Sequence, residues 1–145
     1  MPHSPSELQA PSTGRKAMTG LYDPHKLGQE GEQLAAAYLL KEGYSILERN
    51  YRYHRNEIDI IARHGQMLCF VEVKTRISSA KGDPAEAVTL KKQQEIIKGA
   101  RAYLALSRQL ECDCRFDVVA IRVQDLDGKR ISSFAIDHYP DAFWG

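Results

Sequence analysis

Two β-rich runs joined by a short polar turn constrain this chain more than any other feature of its sequence. Residues 57–63 and 67–74 are rich in Ile, Val and Phe, and the turn between them contains a glycine, a pattern typical of an antiparallel hairpin. Alternation along the strands puts Ile58 and Ile60 on one face and Phe70 on the other. A sheet that is apolar on both faces has to be covered from both sides, which predicts an α/β sandwich.

The rest of the chain supplies two helices and three further strands. Asp23 followed by Pro24 is typical of a helix start, and apolar residues then recur at helical spacing almost as far as Gly43. A second helix is expected at 90–107. The further strands are expected at 44–53, 115–123 and 131–139. The predicted order is therefore helix, three strands, helix, two strands.

The composition sets limits on domain number and location. With 145 residues and 43% hydrophobic residues the chain can bury one core, which we place at 23–145 after a flexible arm at 1–22. No stretch approaches the ~18–20 apolar residues of a membrane helix or resembles a secretion signal, so we expect a cytoplasmic protein without membrane contact. The cysteines are odd in number and lack zinc-ligand spacing, which argues against a disulfide framework or a zinc site.

Three acids and one lysine share one face of the predicted hairpin. A turn centred within residues 64–65 pairs Glu57 with Glu72 and makes Asp59 a diagonal neighbour of Glu72, with Lys74 two residues further on. Carboxylates on adjacent strands repel each other unless a cation lies between them, and Mg²⁺ commonly takes one or two carboxylates. We therefore predict a metal site with Asp59 and Glu72 as ligands. The alternative is a network of surface salt bridges.

This set of side chains suits the hydrolysis of a phosphodiester. A Mg²⁺ ion at the acids would polarise the phosphate, and Lys74 would orient the attacking water or stabilise the charge that grows on phosphorus. Glu32 lies beside the buried stripe of the first helix, and Gln93 points from the second helix towards the sheet, so each needs a polar partner. Considered alone, Glu32 is equally well interpreted as a boundary residue that reaches water.

Basic residues cluster in two places although the net charge is only +1. Lys91 and Lys92 open the second helix, and Arg55 precedes the hairpin. These residues, together with Arg76 just beyond Lys74, are candidates for binding the phosphate groups of a nucleic acid. For a single basic helix the simpler interpretation is a solvated surface.

Several short motifs give the chain a family resemblance over roughly residues 25–145. They are Gly28-Gln29-Glu30-Gly31-Glu32, Asn56-Glu57-Ile58-Asp59, Phe70-Val71-Glu72-Val73-Lys74-Thr75-Arg76, Glu86-Ala87-Val88, Lys92-Gln93 and Arg115-Phe116-Asp117-Val118-Val119. The order of helix acid, Asp, Glu-x-Lys and helix glutamine resembles the PD-(D/E)xK superfamily of restriction-endonuclease-like nucleases, which includes the archaeal Holliday-junction resolvases. The full set more closely resembles the bacterial YraN-like family of uncharacterised proteins.

The resemblance implies both a fold and an activity. The fold is an αβββαβ core with a mixed sheet flanked by helices, and the activity is Mg²⁺- or Mn²⁺-dependent cleavage of DNA. In this sequence Asp59 and Glu72 match the metal ligands, and Lys74 matches the catalytic lysine. Glu32 matches the additional helix acid, and Gln93 matches the glutamine of the following helix.

Two main functions are compatible with these features. The first is a metal-dependent deoxyribonuclease that acts on branched, damaged or end-containing DNA in recombination or repair. The second is a non-catalytic nucleic-acid-binding or interaction module that keeps the nuclease fold, and a weaker third is a hydrolase of another phosphate ester. A homodimer would suit the first function, since cutting both strands takes two sites. The terminal aromatics Phe143 and Trp144 are expected to pack on their own core.

Overall fold

The fold contains the predicted elements in the predicted order. The computed structural model describes residues 23–77, 88–109 and 111–144, so the expected arm at 1–22 lies outside the described residues. The elements are, in chain order, α1 (Pro24–Lys41), β1 (Ser45–Tyr53), β2 (Asn56–His64), β3 (Met67–Ile77), α2 (Leu90–Leu106), β4 (Cys114–Asp127) and β5 (Arg130–Phe143). The last two strands extend beyond their expected ends, since they pair with each other along nearly their whole length.

The strands form one mixed sheet in the order β1-β2-β3-β4-β5. Neighbours pair antiparallel except β3 and β4, which are parallel. Parallel neighbours need a crossover connection, and α2 lies in that connection. The α/β class and the αβββαβ order expected from the sequence are both confirmed.

Both helices begin at residues that cap their free N–H groups. The Asp23 side chain accepts a hydrogen bond from the His25 N–H at 3.0 Å, and Pro24 occupies the first turn of α1. Thr89 caps α2 in the same way by accepting from the Lys92 N–H at 3.1 Å. Among the described helices, none is long and apolar enough to cross a membrane.

The sheet is covered on both faces, as its sequence predicted. Residues Cys69, Val71 and Val73 of β3 pack with α1, whereas Leu68 and Phe70 pack with α2. The two layers of core are therefore separated by the sheet, and the helices reach it from opposite sides. A cluster of acids contacted from both helices can lie only where the sheet leaves a route between its faces, such as an edge or a split between strands.

The register of the central hairpin differs from the predicted one. Ile60 pairs with Val71 and His64 pairs with Met67, so the turn residues are Gly65 and Gln66. Gly65 adopts a positive φ of 62°, which suits the first position of a tight two-residue turn. The shift keeps the predicted faces, since both strands move by whole pleats relative to each other, but it replaces each predicted cross-strand partner.

The alternation of faces also fails at one position. Ile58 was expected beside Ile60, yet Ile58 packs with Phe70 on the α2 side while Ile60 packs on the α1 side. The ladder between β2 and β3 ends at the Ile60–Val71 pair. Beyond that pair β2 is free to follow β1 alone, which changes the direction of the Ile58 side chain.

A buried polar network that the sequence did not predict ties β5 to the body of the sheet. The carboxylate of Asp117 is fully buried, lies 2.9 Å from Arg115 Nε and from His138 Nε2, and accepts the Asp141 N–H at 3.0 Å. Arg115 also donates to the Tyr44 hydroxyl at 2.7 Å. Burial alone would raise the pKa of Asp117, but the hydrogen bonds from His138 and Arg115 outweigh it and leave that pKa lowered. With its partners all internal, this network is a structural one.

The terminal aromatics divide between core and solvent. Phe143 is 6% exposed and stacks on Phe116 with ring centroids 5.2 Å apart, as expected. Trp144 is 77% exposed, so its expected packing on the core is wrong. The β5 strand ends at Phe143, and the following residue has no pleat to direct its side chain inwards.

Helix α1 approaches β3 most closely at a glycine, and this contact can be tested by substitution. A Cβ on Gly31 would overlap Thr75 Oγ1 and lie 3.0 and 3.1 Å from two further Thr75 atoms. We expect Gly31→Ala to lower the free energy of unfolding by about 1–3 kcal/mol, because the helix must move away from the strand. Urea denaturation measures this change.

The matched control is Gly28→Ala in the same helix, where an added Cβ meets nothing within 4 Å. This substitution should raise the free energy of unfolding by up to about 1 kcal/mol through helix propensity. Equal effects of the two substitutions would contradict the proposed close contact.

Candidate metal centre

Asp59 and Glu72 meet where β2 separates from β3. Asp59 and Glu72 are the first residues of β2 and β3 beyond the last paired positions, Ile60 and Val71. Asp59 Oδ2 accepts the Val73 N–H at 2.7 Å, so the side chain takes a backbone donor that lies beyond the end of the ladder. The Glu72 carboxyl group lies close enough for its charge to raise the pKa of Asp59.

Glu72 is the most buried acid of this group. It is 5% exposed, which rules out a solvated salt-bridge network as the explanation of its position. Its Oε2 lies 3.9 Å from Lys74 Nζ, whereas its Oε1 has no hydrogen-bond partner among the described residues. An unsatisfied buried carboxylate oxygen is unfavourable by itself, and a bound cation is the usual remedy.

Burial and neighbouring acids oppose the ionisation of the Asp59–Glu72 pair, and two lysines partly offset this. Burial, then the Glu72 carboxyl and, more weakly, Glu32 raise the pKa of Asp59 to about 8, although its hydrogen bond from Val73 acts in the other direction. Burial also raises the pKa of Glu72, while the positive charges of Lys92 and Lys74 lower it. Without a cation, the pair therefore holds a proton near neutral pH. A divalent cation would replace that proton.

Two further acids lie at the edge of the pair, in different roles. Glu32 of α1 accepts a hydrogen bond from Asn50 Nδ2 at 2.9 Å, and its charge acts on both Asp59 and Glu72. Glu57 was expected opposite Glu72, but it pairs instead with Arg52 of β1 at 3.5 Å. The changed hairpin register is the reason for this correction.

Gln93 has a different partner from the one its sequence position suggested. Its side-chain Nε2 donates to the Val88 carbonyl oxygen at 2.9 Å. This bond ties the first turn of α2 to the residue just before the helix cap, which is a structural role. The assignment of Gln93 to catalysis therefore remains a prediction of the resemblance alone.

Of the four basic residues predicted to bind nucleic acid, three are exposed and one lies close to the acids. Arg55, Arg76 and Lys91 are exposed, as residues that contact phosphate groups should be. Lys92 is half-buried, and its charge acts on Glu72 more strongly than that of Lys74. Lys92 was predicted to bind nucleic acid, and the structure brings it towards the acids as well. Its position at the capped first turn of α2 could have suggested this, since that turn faces the sheet.

The donors fit a hard cation held with few protein ligands. Within the described residues, no three His, Cys, Asp or Glu side chains form a ready metal-binding group. The oxygens of Asp59 and Glu72 nevertheless suit Mg²⁺ or Mn²⁺, which bind through one or two carboxylates and fill their other positions with water and phosphate. The unpartnered Glu72 Oε1 is the atom that such an ion would satisfy.

A cleft of about 350 Å³ opens beside this centre. The residues that line it are Pro24, Leu27, Gly28, Glu32, Val73, Lys74, Thr75 and Ile77. It lies between the first turns of α1 and the end of β3. Of the predicted site residues, Glu32 and Lys74 line this cleft.

Comparison with known proteins gives the family. Residues 31–121 match the model of the Uncharacterised protein family UPF0102. The chain belongs to this family. The UPF0102 proteins of Chlorobium limicola and Chlorobium chlorochromatii are 59% and 60% identical to it over 123 and 119 residues. These matches cover 85% and 82% of this chain and 95% and 92% of the relatives, so the YraN-like membership expected from the motifs is confirmed.

Among solved structures, this UPF0102 chain is similar to Pyrococcus furiosus SfsA in complex with Ca²⁺. The TM-score is 0.36 and the sequence identity 16%, over 81% of this chain. The chain spans 64% of the length of SfsA. A similarity at this level does not identify a function.

The raised pKa of Asp59 predicts how stability depends on pH in EDTA. The folded protein binds more protons than the unfolded chain between the ordinary pKa of 3.8 and the folded value of about 8, so Asp59 lowers stability as pH rises through this range. Relative to Asp59→Asn, the UPF0102 protein should lose at least about 1.4 kcal/mol of unfolding free energy between pH 5 and pH 8, the equivalent of one pKa unit. Urea denaturation at both values measures it.

The matched control is Glu57→Gln, which removes an acid that is already paired with Arg52. Its difference from the unsubstituted protein should stay constant between the two pH values. A constant difference for Asp59→Asn as well would mean that Asp59 ionises normally.

Proposed function

We propose that this protein is a metal-dependent nuclease that hydrolyses phosphodiester bonds of DNA. The observation that carries the proposal is the buried Glu72 carboxylate, which has one oxygen without a partner in the described part of the chain, lies close to Asp59 and has Lys74 beside it. A fold that only needed stability would not bury two acids together, because burial makes the ionisation of both unfavourable and the Glu72 charge also opposes that of Asp59. The arrangement makes sense if a cation and an anionic substrate complete it.

The chain divides the work between acids and lysines. Asp59 and Glu72 would hold Mg²⁺ or Mn²⁺, which when bound supplies Lewis-acid polarisation of the scissile phosphate. Lys74, whose Nζ is 3.9 Å from Glu72, places a positive charge where negative charge grows on the phosphate. The charge of Lys92, on α2, lowers the pKa of Glu72 and so favours the ionised carboxylate that a cation would bind.

DNA is the proposed substrate because exposed basic residues lie on the strands and helix that carry the acids and lysines, or in the turn beside them. Arg76 follows Lys74 by two residues on β3, Arg55 lies in the β1–β2 turn, and Lys91 begins the exposed side of α2. Phosphate contacts of this kind position a nucleic acid without reading its sequence. A structure-selective enzyme for branched, damaged or end-containing DNA, working in the cytoplasm in recombination or repair, would need no more sequence recognition than this.

Family membership and fold support the proposal only in general terms. UPF0102 is described as uncharacterised, so its relatives supply no substrate. One fold hosts many functions, so the support for a nuclease comes from the residues of the site itself. If both DNA strands are cut, two copies of the chain would act together, as the closed symmetry of most oligomers allows.

Cleavage assays with matched variants test this function. The purified protein is incubated with linear, nicked and four-way-junction DNA in Mg²⁺ or Mn²⁺, beside Asp59→Asn and Lys74→Met. We expect the unsubstituted protein to cleave at least one of these substrates, and each substitution to lower the rate by about 100-fold or more, because each removes transition-state stabilisation. The control Lys129→Met, at an exposed residue of the β4–β5 turn, should cleave normally.

The other outcomes separate the remaining functions. Cleavage that survives both Asp59→Asn and Lys74→Met would come from a contaminant and refute the proposal. Salt-sensitive DNA binding without cleavage would support the binding module instead, since phosphate contacts weaken steeply with salt. Hydrolysis of a small phosphodiester but of none of the DNA substrates would indicate another phosphate ester as the substrate.

A further inference from the structure

Asn50 occupies an unusual position in β1. Its φ is +52°, in the left-handed region that residues other than glycine rarely adopt and that Asn tolerates better than most. On either side of it the strand is regularly paired, with Arg49 opposite Ile60 and Tyr51 opposite Ile58. Asn50 therefore lies in the position opposite Asp59, which is the first β2 residue beyond the end of the ladder with β3.

The side chain of Asn50 joins two acids of different elements. Its Nδ2 donates to Glu32 Oε1 at 2.9 Å and lies 3.4 Å from Glu57 Oε2. An amide nitrogen carries two hydrogens, so it can donate to both carboxylates at once without adding charge. The shorter contact connects α1 to the sheet at the level of the Asp59–Glu72 pair. A basic residue at this position would instead neutralise the acids and compete with a cation.

We propose that Asn50 is a positioning residue, which holds the Glu32 carboxylate beside Asp59 and Glu72 so that acids from α1, β2 and β3 serve one divalent cation. The inference rests on the proposed metal-dependent function and adds a residue that the sequence motifs did not single out. Asn50 lies in an exposed stretch of β1. Its left-handed backbone departs from the regular strand, and its side-chain amide contacts α1 at Glu32. Glu32, so held, is available to bind the ion through a water molecule.

The close approach of α1 to β3 supports this assignment independently. Gly31 allows the helix to contact Thr75, which lies next to Lys74 in sequence, and Glu32 is the residue that follows Gly31. The helix backbone thus brings Glu32 near the acid pair, and the Asn50 amide fixes the direction of its carboxylate. Substituting a residue that hydrogen-bonds to a metal-binding side chain commonly weakens metal affinity by about 10–100-fold.

Metal binding by the full chain tests the proposal without relying on activity. Titration calorimetry with Mn²⁺ compares the unsubstituted protein with Asn50→Gly, which keeps the left-handed backbone and removes the amide. We expect Mn²⁺ to bind the unsubstituted protein and to bind Asn50→Gly about 10-fold or more weakly. The control His54→Gly relieves the same backbone conformation at φ +57° in the next turn and should leave Mn²⁺ affinity unchanged within about twofold.

A double-substitution cycle distinguishes positioning from a general structural role. If Asn50 acts through Glu32, then Asn50→Gly in a Glu32→Gln background should weaken Mn²⁺ binding no further, whereas independent structural effects would add. Equal Mn²⁺ affinity of Asn50→Gly and the unsubstituted protein would overturn the role of Asn50 and leave the metal site standing. No Mn²⁺ binding by the unsubstituted protein would overturn both this inference and the proposed function. Additive losses in the cycle would overturn the positioning role alone.

Discussion

The burial of two neighbouring carboxyl groups, Asp59 of β2 and Glu72 of β3, is the constraint on which the site depends. Burial raises the pKa of both, the Glu72 charge raises that of Asp59 further, and one Glu72 oxygen has no partner among the described residues. Nothing in the packing of the core requires this arrangement, since apolar residues of the same size would stabilise the fold better. The pair is thus best understood as a preorganised place for a cation, supported by lysines on one side and a third acid on the other.

The rest of the fold determines where this pair lies and what can reach it. The β2–β3 ladder stops at Ile60–Val71, and the split beyond it gives the acids a polar setting between two apolar layers. Gly31 lets α1 pack closely enough on β3 to bring Glu32 to the same place. The buried Asp117 carboxylate lies on β4 opposite Val71 of β3 and binds His138 and the Asp141 N–H of β5, so the support of the sheet and the chemistry of the site use separate polar groups.

Much of this could be read from local patterns. Alternation predicted that Asp59, Glu72 and Lys74 lie on one face. The hairpin register differs from the predicted one, yet Glu72 lies 3.9 Å from Lys74, and Asp59 accepts the N–H of Val73, the residue between them. The predicted cross-strand partners were wrong because the register is shifted, and Glu57 pairs with Arg52 instead of facing Glu72. The partner of the Gln93 amide, the Val88 carbonyl, was not predicted either, since the sequence shows only that the amide points inwards and not which acceptor it meets.

The sequence by itself determined the order of the elements, the two covered faces of the sheet and the residue types that suit a divalent cation. These follow from periodicity, from capping residues and from the chemistry of side chains, which depend on near neighbours in the chain. Only the tertiary structure decided that Asp59 accepts the Val73 N–H, that Lys92 acts on Glu72 and that Asn50 holds Glu32. Those relations join distant segments, and they depend on where a ladder ends and how closely a helix can pack, which no local pattern encodes.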